Sequence, residues 1–146
     1  HLPLPAISLL LLKKSGSKAY SFPTRFSSRL FKTLMKIINQ TRNLALAEDA
    51  WIANTVFSRV KGLLGEKSLP KGRALIIKPC NAIHTFFMRF AIDCLFLDRE
   101  NRVLRFIPSL KPFRLSPVIF GAVTTIEFAA GSVGPESVST GDLIVF

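Results

Sequence analysis

Hydrophobic positions along this chain come in short runs broken every few residues by polar or turn-forming ones, the spacing of a β-rich domain. From Ile37 to Thr55, Leu44, Leu46, Trp51 and Ile52 alternate with small or polar residues around Glu48-Asp49, which predicts two short strands joined by a turn. Next comes a helical period near 55–65: Asn54 stands where a cap is wanted, and Val56, Phe57, Val60, Leu63 and Leu64 share one face. Gly65 is placed to end that helix. Strands are expected at Ala74–Lys78, Ile83–Met88 and Ile92–Leu97, the last apolar on both faces and therefore buried. Asp98 to Asn101 forms a polar turn, and Arg102–Ile107 returns as the second arm of a hairpin. Pro108, Pro112 and Pro117 then impose an irregular, basic loop. A strand over Val123–Phe128, a loop over Gly131–Thr140 with room for one helical turn, and a last strand over Leu143–Phe146 complete the pattern. The expected fold class is α+β: a compact, barrel-like set of mostly antiparallel short strands with one main helix near 55–65.

Charge changes the reading at the front of the chain. The 146 residues carry 20 Lys and Arg against 9 Asp and Glu, a net charge of +11. Eight of the basic residues lie in 1–47, ahead of the first acid, Glu48, so the body is nearly balanced. The leading segment has an apolar stretch at Ile7–Leu12 but lacks the basic region ahead of it and the small-residue cleavage site behind it that an export signal carries. Between 25 and 38, Phe26, Leu30, Leu34 and Ile38 form one stripe and Arg25, Arg29, Lys32 and Lys36 another, which suits a helix lying on an anionic membrane surface. The competing reading takes Met35 as the start, 1–34 as a basic extension outside the native protein, and 35–146 as a single β-rich domain. That domain is cytoplasmic on the second reading, and exported or membrane-associated on the first. No apolar run reaches the ~20 residues of a spanning helix.

Chemistry-bearing residues concentrate between Cys80 and Cys94. Both cysteines are read as thiols, since one possible pair is weak grounds for an oxidising compartment. Cys80, His84 and Met88 are soft ligands at spacings of four. On a strand, however, such positions lie ~13 Å apart, too far to share an ion, so no metal is expected. Cys80, His84 and Asp93 match the types of a nucleophile, base and orienting acid, but no elbow or glycine-built oxyanion loop flanks Cys80. The remaining reading is a non-covalent polar pocket of His84, Thr85 and Arg89 with Asp93, walled by Phe86, Phe87 and Met88. An acid inside the apolar run 92–97 must be exposed, paired or hydrogen-bonded, and Asp93 satisfied by Arg89 or by turn amides is the bland alternative. The 13 Phe and the basic excess suit stacking on nucleic acid, but most of the excess lies in the leader and Phe alternating in strands is core, so nucleic acid is disfavoured as a partner. There is no glycine-rich phosphate loop, no paired zinc cysteines and no HExxH, so no cofactor is expected.

The run Pro79-Cys-Asn-Ala-Ile-His84-Thr-Phe-Phe-Met-Arg89-Phe-Ala-Ile-Asp93-Cys-Leu-Phe-Leu-Asp98 resembles the signature of a bacterial and archaeal family known only as domain of unknown function number one hundred and ninety-two. Gly62-Leu-Leu64, Ile126-Glu-Phe-Ala-Ala-Gly131 and Gly141-Asp142 extend the likeness over roughly 41–146. Ala91 and Ala129 stand where that family often has Pro, which relaxes two turns. The resemblance implies a small β-rich domain carrying a helix, in relatives with or without an export signal, and it implies no activity. The expected function is non-covalent binding of a ligand or protein partner through His84, Thr85, Met88, Arg89, Asp93, Glu127 and Asp142. The alternatives are a hydrolase using His84 and Asp93, and a membrane-peripheral module anchored by 25–38.

Overall fold

The structure is a computed structural model that describes residues 35–53, 55 and 62–146. Seven strands form one sheet: β1 (Met35–Asn39), β2 (Leu44–Ala53), β3 (Arg73–Ile77), β4 (Ile92–Leu97), β5 (Val103–Leu110), β6 (Thr124–Ala129) and β7 (Ile144–Val145). Their order across the sheet is β5-β4-β6-β3-β2-β1-β7. The two edges approach each other at one rim. An isolated bridge joins Arg102 to Leu143, and the N–H groups of Val103 and Ile144 donate to Asp142 O (2.9 Å) and Asn101 O (3.0 Å). The sheet is therefore a half-barrel, its most vulnerable strand edges partly paired with each other.

Two apolar clusters follow from this curvature. The first draws on all seven strands, with Ile37, Ala50, Ile76, Leu95, Val103, Ile126, Phe128 and Ile144 among its members, and so fills the concave interior. On the outer face, Leu75, Ile77, Ile92, Cys94 and Phe96 are covered by Leu63, Leu69, Ile83, Met88 and Ala122 from the connecting loops. Every residue of β4 and β6 is buried because those strands have a core on each side.

Several expectations hold in outline and change in detail. All strand pairings are antiparallel except β2 with β3, which run parallel because the long connection 54–72 returns the chain to the same end of the sheet. β2 passes unbroken through Glu48-Asp49, and the turn falls instead at 40–43, where Asn43 takes a left-handed conformation. There is no helix among the described residues. Of the helix expected near 55–65, residues 54 and 56–61 lie outside them, and Gly62–Gly65 form turns in which both glycines have positive φ. The extension 1–34 also lies outside. Residues 35–38 of the amphipathic 25–38 stripe belong to β1, with Ile37 wholly buried, so the stripe does not continue as a helix through Ile38. Ile83–Met88 is not a strand, for reasons that shape the site. No helix among the described residues is long and apolar enough to cross a membrane.

Candidate functional site

Between β3 and β4 the chain passes a cis Lys78–Pro79 bond and lies alongside the segment between β5 and β6. Backbone N–H groups tie the two loops together: Thr85 donates to Arg114 O (2.9 Å), Phe113 to Thr85 O (2.9 Å), Ser116 to Ile83 O (2.9 Å) and Ile119 to Asn81 O (2.8 Å). Pro112 and Pro117 have no N–H to donate, and Phe87 (φ 63°) and Phe113 (φ 57°) leave the extended region, so only the His84–Leu115 bridge remains of a ladder. The result is an irregular two-loop ribbon. Its alternation survives even so, with Ile83 and Thr85 buried and His84 and Phe86 exposed.

Thr85 locks this ribbon. Its hydroxyl donates to Lys111 O (2.7 Å) and accepts from Arg114 N–H (2.9 Å). Met88 packs into the outer cluster, while His84 and Arg89 are exposed. The two loops carry Phe86, Phe87, Phe113, Leu115, Val118 and Phe120, all solvent-exposed; Phe87 reaches 76% at the end of the ribbon where Thr85 pairs with Phe113, and Phe120 90% at the end where Asn81 pairs with Ile119. His84 stacks on Phe86 (5.6 Å between ring centroids), and Phe87 meets Phe113 edge-to-face (5.9 Å) across the two loops. Gly121, with φ +86°, makes the turn that leaves Phe120 at its tip.

The three acids among the expected site residues occupy three different settings. Asp93 is only 1% exposed, and its carboxylate accepts from Ser109 N–H (2.9 Å), Ser132 N–H (3.1 Å) and Val133 N–H (3.2 Å). A bulge at Pro108–Ser109 turns the Ser109 amide off the β5 ladder toward it. The turn-amide alternative is thus the observed one, with neither Arg89 nor His84 hydrogen-bonded to Asp93 among the described residues. Asp142, ~20 Å away by the six-residue separation of Val103 and Ser109 along β5, secures the opposite rim. It accepts from Asn39 Nδ2 (2.8 Å), Arg42 Nε (2.7 Å) and Ser139 N–H (2.9 Å). Burial pushes its carboxyl up, but these hydrogen bonds and the Arg42 charge outweigh burial and hold it below the usual carboxylate range.

Glu127 lies on the outer face of β6, between Leu75 on β3 and Cys94 on β4. It is 4% exposed and makes no hydrogen bond or ion pair among the described residues, and burial pushes its carboxyl up to about 8. Burial, then Glu127, Asp93 and Cys80, push the Cys94 thiol far up. Cys80 and Cys94 are both free thiols. No group of three or more His, Cys, Asp or Glu is placed to hold a metal ion among the described residues.

Residues 37–146 match the model of the family described as Uncharacterized ACR, domain of unknown function 192. The chain belongs to this family. It is 34% identical over 84 residues to a UPF0127 protein of Pyrococcus horikoshii, covering 54% of this chain and 70% of that one. A UPF0127 protein of Thermococcus kodakarensis is 33% identical over 112 residues, 74% of this chain and 71% of its own. In fold, the chain is similar to a crystal structure of a protein of unknown function from Novosphingobium aromaticivorans, with a TM-score of 0.66 and 15% identity over 76% of this chain and 82% of that one.

Within this family domain, the expected site residues divide between buried and exposed positions. The polar members Thr85 and Asp93 hold the backbone, while Phe86 and Phe87, expected as pocket walls, and Phe113 and Phe120 of the irregular loop face solvent. A signal for them was present: Phe113, Leu115, Val118 and Phe120 sit in a segment broken by prolines and a glycine, with no regular period that would turn them toward a sheet.

Proposed function

We propose that this domain binds a partner non-covalently through the outer side of the ribbon. His84, Phe86, Phe87, Phe113, Leu115 and Phe120 make the contact and Arg89 flanks it, while Thr85, Met88, Asp93, Glu127 and Asp142 belong to the scaffold that presents it. One observation carries this reading: large apolar side chains crowd one hydrogen-bonded loop pair and face water. Burying one such side chain is worth ~1.5–3 kcal/mol, so leaving several exposed forfeits stability that a bound partner would restore. Two phenylalanines in left-handed backbone conformations add strain of order 1–3 kcal/mol each, as is found where a fold holds residues for contact.

The test is site-specific photo-crosslinking in the protein's own cells, with p-benzoylphenylalanine at Phe87 or Phe120 and at Glu48, exposed on β2 and separated from β6 by β3. Adducts at the first two positions and none at Glu48 are expected. Equal yields at all three, or none anywhere, would overturn the proposal.

A further inference from the structure

We infer that the ribbon's partner is an anionic lipid bilayer, into whose headgroup region Phe87 and Phe120 insert; this rests on the binding role proposed above. The first argument is charge. From 67 to 92 and from 101 to 126, the stretches that contain both loops, the chain has no acidic residue, while Arg89, Lys111 and Arg114 stand exposed on the ribbon itself. Every formal charge the two loops contribute is positive, which matches an anionic headgroup layer and opposes a basic protein surface.

The second argument is the kind of apolar surface. Side chains 76% and 90% exposed project from loop tips, the arrangement that lets Phe and Leu reach ~5–10 Å into the headgroup and acyl boundary. Leu115, 67% exposed, and Val118 lie between the aromatics. These aliphatic side chains have no π face and add nothing to the stacking on which single-stranded nucleic acid binding depends, but they partition readily among acyl chains. The third argument is rigidity. The tips are set on a ribbon fixed by the Thr85 hydroxyl and by backbone hydrogen bonds, so little ordering entropy is lost on insertion.

The experiment uses the full chain in co-sedimentation with vesicles of phosphatidylcholine alone and of phosphatidylcholine with phosphatidylglycerol. Two variants run beside it, Phe87→Ser/Phe120→Ser and Lys111→Gln/Arg114→Gln, with oligo-dT as a competitor. The wild type is expected to prefer the phosphatidylglycerol vesicles. The phenylalanine variant should lose at least tenfold in partition. The charge variant should lose about fivefold per residue, with the difference erased by high salt. Because both pairs are exposed, the second variant keeps the test valid if the first fails to fold. If both variants sediment like the wild type, the N-terminal residues carry the binding and the inference is overturned. It is also overturned if the chain ignores vesicles, or if oligo-dT displaces it from them through the ribbon. Adducts at Phe120 together with no vesicle binding would sink this inference and leave the binding role standing; the absence of both would sink the two together.

Discussion

Replacing Asp93 by Asn keeps the shape of the side chain and removes one of its two good acceptors. In the native protein, three backbone N–H groups converge on the carboxylate, one at Oδ1 and two at Oδ2. The amide variant can turn its oxygen toward Ser109 or toward Ser132 and Val133, and in either orientation its NH2 faces the N–H groups left behind. Hydrogen bonds to a charged group are worth ~1.5–3 kcal/mol each, and a buried donor left unpaired costs ~1–3 kcal/mol. Taking one or two as lost, and allowing for non-additivity, Asp93→Asn should destabilise the domain by about 3–5 kcal/mol, a large share of the ~5–15 kcal/mol a domain has. Urea unfolding followed by the fluorescence of Trp51, the one tryptophan of the chain, reads this directly. A loss below ~1 kcal/mol would refute the reasoning, because the carboxylate would then not be holding the β5 bulge and the 131–133 loop.

The two remaining acids predict opposite pH behaviour. Burial raises Glu127 from its ordinary 4.5 to about 8 in the folded chain, so stability is full below pH ~4.5 and falls as pH rises toward 8, with a slope of up to ~1.4 kcal/mol per pH unit. Glu127→Gln should flatten that fall in urea midpoints measured from pH 5 to 8, and parallel curves for the two proteins would count against it. For Asp142 the folded value is lowered, so its contribution is present above the ordinary 3.8 and lost as pH drops below it. Asp142→Asn should therefore cost about 2–3 kcal/mol at pH 7 and less in acid, read by thermal melts at both ends; an equal loss at both would remove the charge from the explanation.

What the sequence made legible was local. Apolar or small residues on both sides of Asp93, at 90–92 and 94–97, followed by Asp98-Arg-Glu-Asn101, specify a buried strand and a turn without help from elsewhere, and β4, the turn and β5 appear there. The strand expected at 83–88, with Thr85 placed beside His84 in one pocket, does not form, and Ile83 and Thr85 turn inward while His84 and Phe86 face solvent. The local pattern does not reveal that the pairing partner is a proline-broken loop in which a ladder cannot propagate. The chemistry of Asp93 was legible as a demand for partners, but the partners themselves stand 16, 39 and 40 residues further on. Asp142 depends on Asn39 and Arg42, 103 and 100 residues earlier. Such contacts are products of closure of the half-barrel, and no local period encodes them. For the same reason a run of polar residues in one stretch of sequence suggested a single pocket, where the strand pleat sends Asp93 inward while the loop before it turns His84 out to solvent.

The central claim is that the ribbon's outward side chains bind while its inward ones hold the fold. The most direct test is a photo-crosslinking scan with p-benzoylphenylalanine at each position from 83 to 88, each variant checked by circular dichroism. Adducts at 84, 86 and 87, with loss of folding or no adduct at 83, 85 and 88, is the predicted result. A folded set of variants whose adduct yield is uniform along the segment, or peaks at 83 and 85, would contradict it.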